Sequence, residues 1–382
     1  MDNPVYMDHN ATTAVRPAVK DALARALDLT GNASSVHGAG RAARKRVEDA
    51  REQVAALVGA RPQGVVFTSG GTEANNLAIR GSAQGTGKGS KRSRVLVSAV
   101  EHASVLNAAG GVEITAVDGD GLIDLEALET ALMDNGDAAL VSVMLANNET
   151  GVIQPIAEVA ALAHKHGALV HCDAVQAAGK IAIDITSLGV DLLTLSAHKI
   201  GGPQGIGALV LSGDQQVTAI VCGGGQERGR RGGTENLPGI AGFGVAASEA
   251  INGLPHAAGL LNWRTRIEAE LSQHQGVRVF GAAAPRLANT TCLTMPGVAA
   301  EQQLIALDLA GVAVSAGSAC SSGKVEPSHV LAAMGVHNGE ATTAIRISMG
   351  WNTTENDVER FLSTWADVYA RASADKKSRT AA

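Results

Sequence analysis

Short apolar runs rich in β-branched residues recur along the first part of this chain and alternate with longer, helix-patterned stretches. The runs are Val65–Thr68, Val95–Ser98, Leu140–Leu145, Ala168–Cys172, Leu192–Leu195 and Ala208–Leu211. Several are apolar on both faces, as a parallel strand buried on both sides must be. Between them, Arg41–Leu57 carries Val47, Ala50, Val54 and Leu57 along one helical face. This alternation predicts an α/β fold, a mainly parallel central sheet covered by helices. Such sheets bind ligands at the carboxyl ends of their strands. Polar clusters follow those ends here: T-S-G-G-T, E-H, N-N-E-T-G, D-A-V-Q and A-H-K, in chain order.

With 382 residues the chain is long enough for two domains, and the rhythm loosens after N-G-L-P-H (252–256). Aromatics make up only 2%, so Ala, Val, Leu and Ile must build the core. A formal charge of −6 speaks against a nucleic-acid surface or an anionic-membrane binder. The four cysteines are widely spaced without a C-x-x-C pair, which disfavours a disulfide scaffold or structural zinc. No basic-then-apolar leader opens the sequence, and no apolar run reaches the length of a membrane span. The expectation is a soluble protein of the reducing cytoplasm.

Three tempting motifs fail on context. G-T-G-K-G-S (85–90) lacks the Ser or Thr after Lys88 and the upstream glycine of a phosphate loop. G-A-G-R-A-A (38–43) matches a dinucleotide fingerprint, but N-A-S-S-V-H stands where a strand is required. In H-K-H (164–166), followed by H-C-D (171–173), His164 and His166 are two apart on a predicted helix and face different directions, so exposed helix residues are a better account than a metal site.

Other motifs carry chemistry. In F-T-S-G-G-T-E-A-N-N (67–76) a strand runs through two glycines into a helix, whose first N–H groups and Thr72 hydroxyl suit a phosphate. Lys199, in S-A-H-K-I-G-G, lies just past a buried strand, where an amine is costly unless it is used. Such an amine suits a Schiff base with an aldehyde cofactor. Asp173 ends another strand and could partner a pyridinium nitrogen, with Gln176 reaching the ring's phenolic oxygen. Cys320 sits among small residues in S-A-G-S-A-C-S-S-G-K, a setting for thiolate chemistry rather than packing.

Together these motifs resemble the cysteine desulfurases of NifS/IscS type, in the class V family of pyridoxal-phosphate enzymes. The resemblance runs from D-H-N-A-T-T (8–13) to I-R-I-S-M-G-W (345–351) and includes V-E-H-A-S-V and G-G-Q-E-R-G-R-R-G-G-T-E-N. It implies the fold type I architecture, with a large cofactor-binding domain over 13–252. A smaller α+β domain would combine 1–12 and 253–382 and carry the cysteine loop.

The resemblance also implies roles. Lys199 holds pyridoxal 5'-phosphate and later removes the substrate's Cα proton. Asp173 keeps the pyridine nitrogen protonated, His102 stacks on the ring and relays protons, and Gln176 tunes the ring oxygen. Gly71, Thr72, Ser196 and His198 bind the phosphate, with Thr234 supplied across a homodimer interface. Arg346 clamps the carboxylate of L-cysteine, assisted by Asn148. Cys320 takes the sulfur as a persulfide, releasing L-alanine, and passes it to an iron–sulfur scaffold or another acceptor protein. G-K-V-E-P-S-H-V-L after Cys320 resembles the nitrogen-fixation branch. The alternatives are a selenocysteine lyase or aminotransferase on the same scaffold, a non-catalytic scaffold that docks iron–sulfur assembly proteins, or a nucleotide-dependent dehydrogenase.

Overall fold

The computed structural model describes residues 4–83, 94–133, 139–316 and 327–380. Cys320 and its neighbours 317–326 lie outside the described residues, as does most of the basic loop 81–94.

Strand β1 (Val5–Tyr6) precedes a central sheet made of β2 (Val65–Thr68), β3 (Arg94–Ser98), β4 (Glu113–Thr115), β5 (Ala139–Met144), β6 (Leu169–Asp173), β7 (Leu192–Ser196) and β8 (Gly207–Leu211). Their spatial order is β2-β8-β7-β6-β5-β3-β4. Pairs within β4-β3-β5-β6-β7 are parallel, whereas β8 runs antiparallel to both β7 and β2. The six apolar runs in the sequence therefore mark β2, β3, β5, β6, β7 and β8 to within one residue at either end, whereas the short, mostly exposed edge strand β4 has no such run. Every residue of β5 is buried. Burying a side chain such as Leu140 or Val143 contributes about 1.5–3 kcal/mol.

Helices cover the sheet. The helices α1 (Pro17–Leu27) and α2 (Gly38–Leu57) pack against Leu237–Asn252. Val47, Ala50, Val54 and Leu57 of α2 enter the main core with Phe67, Ile240 and Phe243. The G-A-G-R-A-A segment is the first part of α2, where the His37 imidazole accepts the Gly40 N–H at 3.2 Å as a cap. That is helix-start chemistry, with no strand before it.

Strand β2 is an edge, and two side chains satisfy its open groups. Glu227 accepts the Phe67 N–H at 3.0 Å, and Arg51 donates to the Val65 carbonyl at 2.8 Å. The same two residues form a buried fork at 2.8 and 2.9 Å.

A second core begins at Gly253, where Leu237–Asn252 ends and the helix Leu254–Leu271 starts. It gathers Val5, Met7, Leu260, Ile267, Phe361 and Trp365. Around it, β1 pairs in parallel with β10 (Val312–Ala313), and β9 (Thr290–Thr294) pairs antiparallel with β11 (Ala344–Ser348). The N-terminal strand is thus built into the C-terminal third of the chain.

Candidate active site

Strands β2, β3, β5, β6 and β7 point the same way and deliver five polar turns to one end of the sheet. Gly71 opens helix α3 (Gly71–Ala83), with Thr72 exposed on its first turn. A Cβ at position 71 would stand 3.0 Å from Val175 Cγ2 and 3.5 Å from Ser196 Cβ. The turns after β2, β6 and β7 therefore close on one another here, and only a bare residue leaves space. The N–H groups at the start of α3 make that place attractive to an anion.

Asp173, at the end of β6, is buried and oriented from two sides. It accepts from Asn75 Nδ2 at 2.7 Å and from the Val175 N–H at 2.9 Å. Asn75 also donates to Ser104 Oγ, which lies 2.8 Å from His102 Nδ1. The Ser104 N–H donates to that same ring nitrogen at 3.1 Å. Nδ1 is thus the acceptor, and Nε2 carries the proton of the neutral ring. Burial lowers the His102 pKa, opposed by Asp173 and assisted by Lys199 and His329.

Lys199 follows β7 in the turn Ala197–Lys199. Its amine donates to the main-chain carbonyls of Asn10 and Ala11. Burial, then the charge of Arg346, lowers its pKa to about 8. A sizeable neutral fraction near neutrality is what a nucleophilic or basic lysine requires. Asn10 is the hub of this region. Its carbonyl also accepts from Gln176 Nε2 at 2.9 Å, and its Oδ1 accepts from Lys180 Nζ at 2.9 Å. Its Nδ2 donates to Thr290 Oγ1 at 2.9 Å and to the Asn148 carbonyl at 3.2 Å.

Arg346, on β11, is buried beside this hub. It donates to Asp8 Oδ1 at 2.6 Å and to the Asn148 carbonyl at 2.9 Å. Its Nε is buried without a partner among the described residues, so the guanidinium retains donor capacity. Asn148 thus meets Arg346 through its main chain. Arg346 also exchanges both main-chain hydrogen bonds with Ser315, five residues before Cys320. On the far side of that segment, Ser328 Oγ donates to Glu149 Oε2, and His329 Nε2 lies 2.9 Å from the Glu101 carbonyl. Both ends of the cysteine segment are anchored to turns of this site.

Lys199, Gln176, Asn148 and Arg346 are therefore joined through Asn10, while Asp173 and His102 are joined through Asn75 and Ser104. Ser196 is buried beside Gly71. His198 Nδ1 lies 3.2 Å from Thr12 Oγ1, and burial first and then Lys199 lower its pKa to about 4. Thr234 is exposed, in a loop held to α3 by the Arg231–Glu73 pair at 2.8 Å. Sequence reasoning assigned no role to Asp8, Asn10, Asn75 or Lys180. D-H-N-A-T-T contains the first two, and the four-residue spacing of Gln176 and Lys180 was a readable helix-like pairing.

These residues fit pyridoxal phosphate: a cradle of bare backbone at Gly71, an oriented buried carboxylate and a lysine of lowered pKa. The fold and this site define a pyridoxal-phosphate enzyme of class V. The aminotransferase class-V family model matches residues 5–361. An IscS-like cysteine desulfurase of Mycobacterium tuberculosis is 41% identical over 380 residues, covering 96% of both chains. A cysteine desulfurase of Cereibacter sphaeroides is 44% identical over 369 residues, with 94% of each covered. The X-ray structure of a NifS-like protein from Rickettsia africae superposes with a TM-score of 0.88 at 37% identity, covering 96% of this chain and 100% of that one. The chain belongs to the class-V aminotransferase family and, within it, to the cysteine desulfurases of NifS/IscS type.

Proposed function

We propose that this chain removes sulfur from L-cysteine, giving L-alanine and a persulfide on Cys320, with the residues above as its machinery. The carrying observation is the Asn10 hub, which links the amine of Lys199 to the carboxylate-binding end at Arg346. Bound pyridoxal phosphate supplies an electron sink for the carbanion at the substrate's Cα. Lys199, His102, Asp173 and Gln176 hold the ring, and Gly71, Thr72, Ser196 and His198 hold the phosphate.

Arg346 holds the substrate carboxylate with Asn148 beside it, and Lys199 takes the Cα proton. The Cys320 thiolate attacks the substrate sulfur. An S–S bond forms, the Cβ–S bond breaks with its electron pair left on carbon, and protonation at Cβ together with return of a proton to Cα gives alanine. Neutral His102 is suited to move protons during these steps. Five peptide units from Ser315 span at most about 17 Å. Ser315 itself pairs through its main chain with Arg346, so Cys320 lies within that reach of Arg346.

The division into 13–252 and 1–12 with 253–382 is supported by the change of core at Gly253. The exposed position of Thr234 supports a homodimer in which each chain completes its partner's phosphate site. Iron–sulfur assembly in the cytoplasm, including a NifS-like role in nitrogenase maturation, is the outlet we assign to the persulfide.

The test is a single turnover with L-cysteine, reading alanine and persulfide in the wild type and in Cys320→Ala. Stoichiometric alanine with persulfide on Cys320, both lost in the variant, is expected. Undiminished alanine from the variant would transfer the sulfur-accepting role to another group.

A further inference from the structure

Lys180 and Lys199 both donate to Asn10, Lys180 to its side-chain oxygen and Lys199 to its main-chain carbonyl. The Lys180 amine donates to Asn10 Oδ1 and Gln176 Oε1, each at 2.9 Å. Both partners are neutral amide oxygens. With Lys199, His9 and Asn289 it lines a cavity of about 130 Å³ beneath the second core. The charged and titratable groups that act on it are Lys199 after β7, Arg346 on β11 and His9 of the N-terminal segment. Burial and the first two charges hold its pKa well below the ordinary lysine range. A lysine placed against two like charges is costly, and a methionine would fill the same space without that cost.

What lysine supplies there is donors. The lysine amine offers N–H donors in either protonation state, and both amide groups turn their oxygens to it. For Gln176 this leaves the NH₂ for the Asn10 carbonyl, the acceptor that Lys199 also uses. For Asn10, Oδ1 is shared with Asn289 Nδ2 at 3.2 Å, and the NH₂ is used by Thr290 and Asn148. Its main-chain carbonyl is then the acceptor presented to Lys199.

We infer that Lys180 is a positioning residue of the desulfurase site: it holds Gln176 with its N–H donors, and Asn10 with its main-chain carbonyl, turned toward Lys199. This rests on the reading that Gln176 faces the phenolic oxygen of the cofactor. An N–H donor there stabilises the phenolate charge of the unprotonated resting chromophore. Losing the donor therefore moves that chromophore's titration to higher pH.

The test is the visible absorbance of the resting holoenzyme as a function of pH, in the wild type, Lys180→Met, Gln176→Leu and the double variant. Each single variant is expected to raise the midpoint by about one pH unit. The double variant should match Gln176→Leu, because Lys180 acts through that amide. Lys180→Gln, which keeps an N–H donor, should lie nearer the wild type. Lys180→Met leaving the midpoint unchanged while Gln176→Leu shifts it overturns the inference and spares the Gln176 role. Shifts that add in the double variant also overturn it, since a through-space charge effect would add. A midpoint that moves in neither single variant overturns both readings.

Discussion

The guanidinium of Arg346 and the carboxylate of Asp8 meet at 2.6 Å although 338 residues separate them in sequence. The contact exists because β1 is built into the same core as β11, and Asp8 itself bridges to Ser348. Asp8 thus occupies one donor of the guanidinium to which we assign the substrate carboxylate. It also opposes the lowering of the Lys199 pKa, to which Arg346 contributes.

Asp8→Asn keeps the shape and an acceptor but removes the competing charge. Charge-assisted bonds are about twice as strong as neutral ones, so substrate should displace the amide more easily. The KM for L-cysteine is expected to fall by about threefold to tenfold, with kcat changed less. Steady-state kinetics of the purified variant check this. A KM that rises would mean that Asp8 orients Arg346 instead of competing for it.

Gly71 offers a test of the phosphate cradle. A methyl group there meets Val175 Cγ2 at 3.0 Å, closer than side-chain contacts normally allow. Overpacking of this kind costs about 1–3 kcal/mol. Gly71→Ala should loosen pyridoxal phosphate by about tenfold or more, measured by dialysis and absorbance. The melting temperature of the cofactor-free variant should fall by only the few degrees that this cost implies.

The buried Arg51–Glu227 fork closes the β2 edge and anchors the loop that carries Thr234. Glu227 and Arg228 adopt left-handed backbone angles, φ 46° and 58°, which the pair helps to hold. Removing one partner strands the other charge in the core, at a cost of about 3–5 kcal/mol. Glu227→Leu is therefore expected to lower stability by that order in urea unfolding. Arg51→Met with Glu227→Leu should cost less than the sum of the two single changes. If Thr234 serves a partner's phosphate site, Glu227→Leu should also weaken cofactor retention below the unfolding range.

What the sequence displayed and what it concealed follow from separation along the chain. Six strands of the central sheet were legible because each is a short apolar run closed by a polar turn, and Asp173 and Lys199 stand at those ends, whereas β4 and the strands of the second core were not read. The end of α2 at Leu57 was legible, but its start lies three residues before the Arg41 that the pattern suggested, because the His37 cap opens it at Gly38. The Asn10 hub was not, since its partners Asn148, Gln176, Lys180, Asn289 and Thr290 lie on elements up to 280 residues away. The Arg51–Glu227 fork was hidden for the same reason, being one contact between an otherwise ordinary helix position and a glycine-rich loop. A spacing rule finds residues of one turn, whereas these contacts are created by the sheet order itself.

Two buried imidazoles, His171 and His9, join His198 in resisting protonation and so weaken stability in acid. His171 is fully buried between Ser142 Oγ at 2.8 Å and Thr194 Oγ1 at 2.9 Å. His9 is 3% exposed, with Nδ1 2.6 Å from Thr13 Oγ1. Burial, as the first cause, lowers each pKa to about 4. Below about pH 6.5 the unfolded chain takes up these protons and the folded chain does not, so stability is complete above that pH. It declines as the pH falls from about 6.5 to about 4, by up to roughly 3 kcal/mol for each ring. Urea unfolding at stepped pH should therefore show the loss beginning below pH 6.5. His171→Gln should lower stability at pH 7.5 but flatten the slope between pH 6 and 4.5 by about one proton's worth. An unaltered slope in this variant would mean that His171 is not one of the rings resisting protonation.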